Sequence, residues 1–224
     1  LKKASEDGET LPVYIDDPRI SKRTGKNKKA FREQSLEKLD ENYRERDSGL
    51  IYREGKTGEK LEELIDQYKV DKIFFNRSYA PIKRRIESEI KGLKVKSRGF
   101  KDRLLVEPKE LSEEVGTFSP FYREWKNKEK DSSFRRTENL ADIDEERFTT
   151  DAECDIELPD AGGEAALERW RDFRDNRLDT YKERRDEVKS PEAVSRLSMY
   201  YSSGLLGLRK VLEDVEQMID GSDD

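Results

Sequence analysis

Short apolar runs alternate with amphipathic stretches through the first half of the chain, and that alternation constrains the fold more than any other feature. "LPVYIDD" (Leu11 to Asp17) reads as a short buried strand ending in carboxylates. In the stretch that follows, Phe31, Leu36, Leu39 and Tyr43 fall roughly on one helical face, with Gly49 as a stop. "LIYREG" is a second strand. "EKLEELIDQYKV" is the clearest helix, because Leu61, Leu64, Ile65 and Tyr68 sit at i, i+3, i+4 and i+7. "VDKIFFN" (Val70 to Asn76) is a third strand, and "PIKRRIESEIKG" opens on Pro81, favoured at a first helical position, and closes at Gly92. "LKVKS" and "RLLVEP" read as two further short strands. Strands alternating with helices require right-handed crossovers, so the sheet is predicted to be parallel and doubly wound over about Leu1 to Pro108.

From Lys126 to Asp160 the periodicity dissolves into a long polar stretch, read as an interdomain connector. "GGEAALERWRDFRDNRLDTYKERRDEV" then predicts a long helix. Leu167, Trp170, Leu178 and Tyr181 share its apolar stripe, with Arg174 in one slot. A second helical region is predicted from near Ser195 to about Met218, followed by a polar, fraying tail.

The chain has 224 residues, 32% hydrophobic and 44% charged. That leaves a modest core under a heavily charged surface. Its 46 basic and 52 acidic side chains give a net charge of −6, which argues against DNA binding driven by overall positive charge. There is no histidine, so Ser-His and Cys-His nucleophile pairs and His-based zinc sites are excluded within these residues. Cys154 is the only cysteine, which rules out an internal disulfide and suits a cytoplasmic protein. No apolar run approaches the roughly 20 residues of a membrane span.

Four stretches carry chemistry. "FFNRSYAPIKRR" places Asn76, Arg77, Ser78 and Tyr79 after a strand and before a helix, where open α/β sheets bind ligands; an ordinary strand-to-helix loop is the plainer reading. "VEPKELSEEVGTFSPFYREW" is ring-rich, either a lid or, more simply, an anchor of the sheet against the next domain. "KNKEK" (Lys126 to Lys130) and "FRR" (Phe134 to Arg136) could touch phosphates, although the acidic neighbours favour a solvated linker. "VSRLSMYYSSG" gathers Ser195, Arg196 and Ser198 at a helix start. It reads either as an ordinary cap by Ser195 or as a diphosphate site of hydroxyls and free amides.

Together these stretches resemble the photolyase/cryptochrome family, in the family's own order. "FFNRSYAPIKRR" resembles its Asn-x-x-Tyr-x-Pro loop and arginine-rich helix. "LLVEPKEL…FSPFYREW" resembles its Leu-x-x-Pro…Phe-(Thr/Ser)-Pro-Phe-x-x-Trp segment. "GGEAALERWRDFRDNRLDTYKERRD" resembles the helix that opens its flavin domain, and "SRLSMYYSSGLLGLRKV" its Ser-x-Leu-Ser turn.

By that resemblance, Ser195, Arg196, Leu197 and Ser198 match the turn that holds the diphosphate of FAD, and Tyr181 the tyrosine near the flavin nucleotide. Val194 stands where threonine is usual, Met199 where proline is, and Gly207 where serine precedes Arg209. Asn76, Tyr79 and Lys83 are implied to touch a second, antenna chromophore, a deazaflavin or a folate; Ile82, Lys83 and Arg84 stand where folate binders often carry an acid, which leans slightly against folate. Neither a catalytic residue nor a metal ligand is expected in these residues.

The implied architecture has three parts: an α/β antenna domain over 1–125, a linker over 126–160, and the start of an FAD-binding helical domain over 161–224. The family's first strand, with its Arg-Asp-Leu-Arg motif, is not in the sequence. The Rossmann-like sheet is therefore expected to lack its first strand and to have an unfilled centre. The resemblance implies the amino-terminal half of a monomeric deoxyribodipyrimidine photo-lyase, cut at both ends, whose partner is damaged DNA. Reduced flavin, excited by blue light, would pass an electron to a cyclobutane pyrimidine dimer flipped out of DNA. The fragment alone is expected to repair nothing. The alternatives are a cryptochrome-type blue-light photoreceptor, a non-catalytic nucleotide- or chromophore-binding module, or an inactive remnant.

Overall fold

In the computed structural model, residues 1–112, 117–134, 137–187 and 189–220 are described. Arg135 and Arg136 of the "FRR" stretch and the last residues of the tail lie outside them.

A one-turn helix α1 (Lys2–Ser5) leads into strand β1 (Val13–Asp16) and a short helix α2 (Pro18–Ser21). Helix α3 (Lys26–Arg44), strand β2 (Ile51–Glu54), helix α4 (Thr57–Tyr68), strand β3 (Lys72–Asn76), helix α5 (Pro81–Lys91) and strand β4 (Lys96–Phe100) follow. β1 pairs parallel with β2, Val13 opposite Ile51, and β3 pairs parallel with β4, Lys72 opposite Lys96. The expected parallel α/β layer is present, but as two two-stranded sheets, with no strand among the described residues joining β1 to β3.

Period-two alternation explains why helices cover both faces of the β1–β2 ribbon. Tyr14 and Tyr52 stack 6.0 Å apart on one face and pack with Leu36 and Tyr43 of α3. Ile51 turns to the other face and packs with Leu64 of α4. At the carboxyl end of β1, buried Asp17 accepts from the backbone N–H of Arg19 at 3.0 Å and of Thr57 at 2.9 Å, tying the starts of α2 and α4 to the strand.

β4 lies further along than the alternation of "LKVKS" suggests. Pairing with β3 sets its register, and Gly99 falls opposite Phe75. A Cβ on Gly99 would stand 2.9 Å from the Phe75 ring, so the aromatic strand selects a bare neighbour. "RLLVEP" forms no strand. Glu107 and Glu110 close a reciprocal cap around a 3-10 turn, Pro108–Glu110, which takes up the backbone there.

Helix α6 (Phe118–Asn127) does not anchor its rings in the core. Phe118 is 75% exposed, Phe121 and Tyr122 are also exposed, and Phe118, Tyr122 and Trp125 stack along one face. The connector after it has little regular structure but is tightly held. Thr10 bridges to Leu140, Ala141 and Ile143 enter the α4-side core, and Phe148 packs against Tyr52. Asp40 of α3, fully buried, accepts from the N–H of Leu50 at 2.7 Å and of Phe148 at 3.0 Å.

The predicted long helix is two: α7 (Gly163–Arg177) and α8 (Tyr181–Arg184). Its buried stripe is Ala166, Trp170 and Phe173, with Leu167 and Leu178 only partly buried beside it. Helices α9 (Ser198–Ser203) and α10 (Leu208–Asp220) complete the helical part. Gly204, at φ +76°, ends α9 in the left-handed conformation that suits glycine. The core of this part also takes in Phe31 of α3, edge-on to Tyr200 at 5.7 Å, so the α/β layer and the helices share apolar packing.

Candidate functional site

The turn from Val194 to Ser198 is built around Leu197. That side chain is 1% exposed, packed in a core with Trp170, Phe173 and Tyr200. Driving it inward holds Arg196 at φ +56°, a left-handed conformation that costs a non-glycine residue about 1–3 kcal/mol. Strain of this kind persists only where its surroundings over-determine it, and here the buried leucine does so. Arg196 and Ser198 are consequently exposed, with Ser195 half-buried. The Ser195 carbonyl accepts from Arg169 Nε of α7 at 3.0 Å, which pins the turn to the helical core.

Ser195 does not cap a helix, contrary to the expectation from sequence. α9 begins at Ser198, its N-cap position is Leu197, and no side chain caps it. The leading amides of such a helix have no partner within it. The Ser195 and Ser198 hydroxyls make no hydrogen bond among the described residues. Arg196 faces Glu192 at 3.7 Å, and Glu192 is shared with Arg169 at 3.3 Å and with Arg177. Tyr181 opens α8 and packs edge-on against Phe173 at 5.8 Å, which places it on the same core as Leu197. Two unspent hydroxyls, uncapped amides and a guanidinium are the donor set a diphosphate needs, and the residues present fit that group.

The second cluster lies at the carboxyl ends of β3 and β4. Asn76 Nδ2 donates to Asp102 at 3.0 Å, and the Tyr79 hydroxyl donates to Glu107 at 2.7 Å. Glu107 is buried and also meets Arg77 at 3.0 Å. Burial, followed by the Glu107 hydrogen bond, pushes the Tyr79 hydroxyl up to about 12, so it stays protonated as a donor at neutral pH. Lys83 of α5 is held below the ordinary lysine value by burial first and then by the neighbouring cations Arg103 and Lys28.

A polar seam ties this end of the layer to the helices. Arg103 donates to the Ser202 carbonyl of α9 at 3.3 Å. Arg209 of α10, buried, donates to the Lys101 carbonyl at 2.9 Å and lies 3.5 Å from Asp102 and 3.4 Å from Asp131. Sequence reasoning missed Arg103, Glu107 and the partners of Arg209. The Glu-Pro-Lys-Glu spacing at Glu107 to Glu110 was the available signal for the cap. Among the described residues no group of three or more Cys, Asp or Glu could hold a metal ion, and no helix is long and apolar enough to cross a membrane.

A parallel α/β layer joined by a packed connector to a helical part that presents an uncapped serine turn is a photolyase-type amino-terminal architecture. The model of the DNA photolyase family matches residues 1–141, and the chain belongs to that family. It is 28% identical over 218 residues to a deoxyribodipyrimidine photo-lyase of Thermus thermophilus, covering 97% of this chain and 51% of that protein. A second, from Halobacterium salinarum, is 25% identical over 231 residues, covering 93% of this chain and 47% of that protein. The chain thus spans about half the length of the curated relatives it matches.

Among solved structures, a Synechocystis cryptochrome superposes with a TM-score of 0.83 at 20% identity, over 96% of this chain and 51% of that one. A class III photolyase from Agrobacterium tumefaciens gives 0.76 at 21% identity, over 91% and 46%. An archaeal photolyase from Sulfolobus tokodaii, solved with two FAD molecules, gives 0.72 at 22% identity, over 95% and 50%. These likenesses establish the fold.

Proposed function

We propose that this chain contributes the FAD-diphosphate turn and the antenna-side α/β domain to a light-driven DNA repair protein that splits cyclobutane pyrimidine dimers. The observation that carries the proposal is the turn itself: Leu197 buried, Arg196 left-handed, and the Ser195 and Ser198 hydroxyls unspent. Held by these residues, FAD would supply light-driven electron-transfer chemistry for opening the dimer. The chain's own residues bind and orient. Ser195 and Ser198 donate to phosphate oxygens, the leading amides of α9 add further donors, and Arg196 contributes charge. Tyr181 lines the nucleotide side. Asn76 and Tyr79, at and just beyond the carboxyl end of β3, and Lys83 of α5 take the antenna chromophore.

Equilibrium titration of FAD, followed by flavin fluorescence, tests this. Each of Ser195→Ala and Ser198→Ala removes a hydrogen bond to a charged group, about 1.5–3 kcal/mol, or roughly 10- to 150-fold in Kd. FAD affinity unchanged in the double variant would sink the assignment. A protein with the turn intact that takes up no FAD would do the same.

A further inference from the structure

Helix α5 carries an outer face of unmatched positive charge. Its apolar side, Ile86 and Ile90, is buried. Arg84, Ser88 and Lys91 follow at i, i+4 and i+7 on the opposite side, with Arg85 flanking them, and all four are exposed. Lys94, also exposed, follows in the bend that leads to β4. The side chains of Arg84, Arg85, Lys91 and Lys94 make no hydrogen bond, ion pair or ring contact among the described residues.

Two acids on the same helix stand close enough to neutralise this face, and both are engaged elsewhere. Glu87 lies one turn before Lys91, the favoured order for a helical ion pair. It accepts instead from the backbone N–H of Ser78, in the loop after β3. Glu89 lies one turn after Arg85, yet it reaches across to Arg19 of α2 at 2.6 Å. At neighbouring α4 the local pairs do form: Lys56 meets Glu59, and Lys60 meets Glu63, each at 2.8 Å.

The placement also runs against the helix dipole. Acids are favoured in a first turn, and α5 has none there; Lys83, Arg84 and Arg85 follow Pro81 and Ile82 instead. Cations so placed weaken the helix, so folding alone does not account for them. In a chain of net charge −6 the row is a local feature, set in a surface that otherwise repels polyanions.

We propose that the outer face of α5, with Lys94, is a contact surface for the phosphate backbone of duplex DNA, independent of base sequence and of any lesion. Arg84 to Lys91 span about 10 Å along the helix axis, roughly three base-pair rises of one strand. Backbone phosphates are held by spaced cations and need no pocket. A lipid surface fits less well, because a membrane-bound helix inserts its apolar side and that of α5 is buried. The surface stands without the FAD assignment.

Fluorescence anisotropy of a labelled, undamaged duplex, titrated with the chain at several salt concentrations, tests this. With Arg84, Arg85, Lys91 and Lys94 engaged, the logarithm of the affinity should fall against that of salt with a slope of about −3 to −4. Arg84→Gln together with Arg85→Gln should weaken binding and bring the slope about 2 closer to zero. That variant should keep a urea midpoint no lower than the native one, since it relieves the clash with the dipole. Lys56→Gln together with Lys60→Gln makes the same change in net charge at α4 and should leave the slope unchanged. Undetectable or salt-independent binding would overturn the proposal, as would equal weakening by the two pairs or a lower urea midpoint for the arginine pair. Tighter, arginine-dependent binding to vesicles of anionic lipid or to polyglutamate would overturn the choice of partner.

Discussion

The indole N–H of Trp170 on α7 donates to the carboxylate of Asp214 on α10 at 2.8 Å, and both side chains are buried. Burial works to raise the Asp214 pKa. The Lys210 ammonium and the indole outweigh it, so the carboxyl stays below its ordinary range. Trp170→Phe keeps most of the ring and removes the donor. The expected cost is about 1–3 kcal/mol, seen as a lower urea midpoint with an unchanged slope. Trp170→Phe in an Asp214→Asn background should cost less than in the native chain, because the two residues act as a pair.

The hydroxyls and the leucine of the serine turn should separate cleanly in stability measurements. Leu197→Ala empties a buried site and is expected to cost about 2–5 kcal/mol. Ser195→Ala and Ser198→Ala remove hydroxyls with no hydrogen-bond partner among the described residues, so thermal melts should move by less than about 0.5 kcal/mol equivalent. A large melt shift for either serine would mean that its hydroxyl is structural.

Asp40 is the buried staple between α3, the start of β2 and the connector. Asp40→Ala strands the N–H groups of Leu50 and Phe148 and takes from Arg44 the carboxylate it meets at 2.8 Å, leaving that guanidinium only the Glu145 carbonyl at 2.9 Å. The expected loss is about 3–5 kcal/mol. Hydrogen exchange at Phe148 should accelerate well beyond what the global loss explains. Equal acceleration at every amide would point to general destabilisation instead.

Glu145 provides the pH test. Arg53 holds its carboxyl below the ordinary glutamate value by hydrogen bonding, and Tyr68 adds to this against the opposing effect of burial. A depressed folded pKa stabilises the fold above the unfolded value, about 4.3, and that stability drains away as pH falls through the folded value. Glu145→Gln is therefore expected to cost about 1–2 kcal/mol at pH 7 and progressively less below pH 4. A difference that stays constant down to pH 2 would contradict the assignment.

Local patterning made α3, α4 and α5 legible in the sequence, since each has an apolar stripe at helical spacing; Pro81 and Gly92 also bound α5, whereas α3 stops at Arg44, ahead of Gly49. The strands β1 to β3 were equally plain as short apolar runs. What remained hidden depended on partners distant in sequence. The register of β4 follows from the fit of Gly99 under Phe75. "RLLVEP" has a strand's composition, yet the Glu107–Glu110 cap claims its backbone. The serine turn was recognisable as a motif, but the helix start at Ser198 is set by burial of Leu197, which no local pattern reports.

The exposed rings of α6 were read as anchors because aromatic residues are usually buried. In the described residues Phe118, Phe121 and Tyr122 face outward. Nothing in the sequence distinguishes an inward from an outward ring on so short a helix.

The seam around Arg209 has a mechanical consequence. One buried guanidinium joins α10 to the Lys101 carbonyl, Asp102 and Asp131, and its Cζ lies 5.5 Å from the centre of the Phe134 ring. Loosening α10 strips partners from the loop beyond β4 and from the connector in the same event. Layer and helices are therefore coupled as one cooperative unit, and heating should melt them in a single transition instead of releasing one while the other stands.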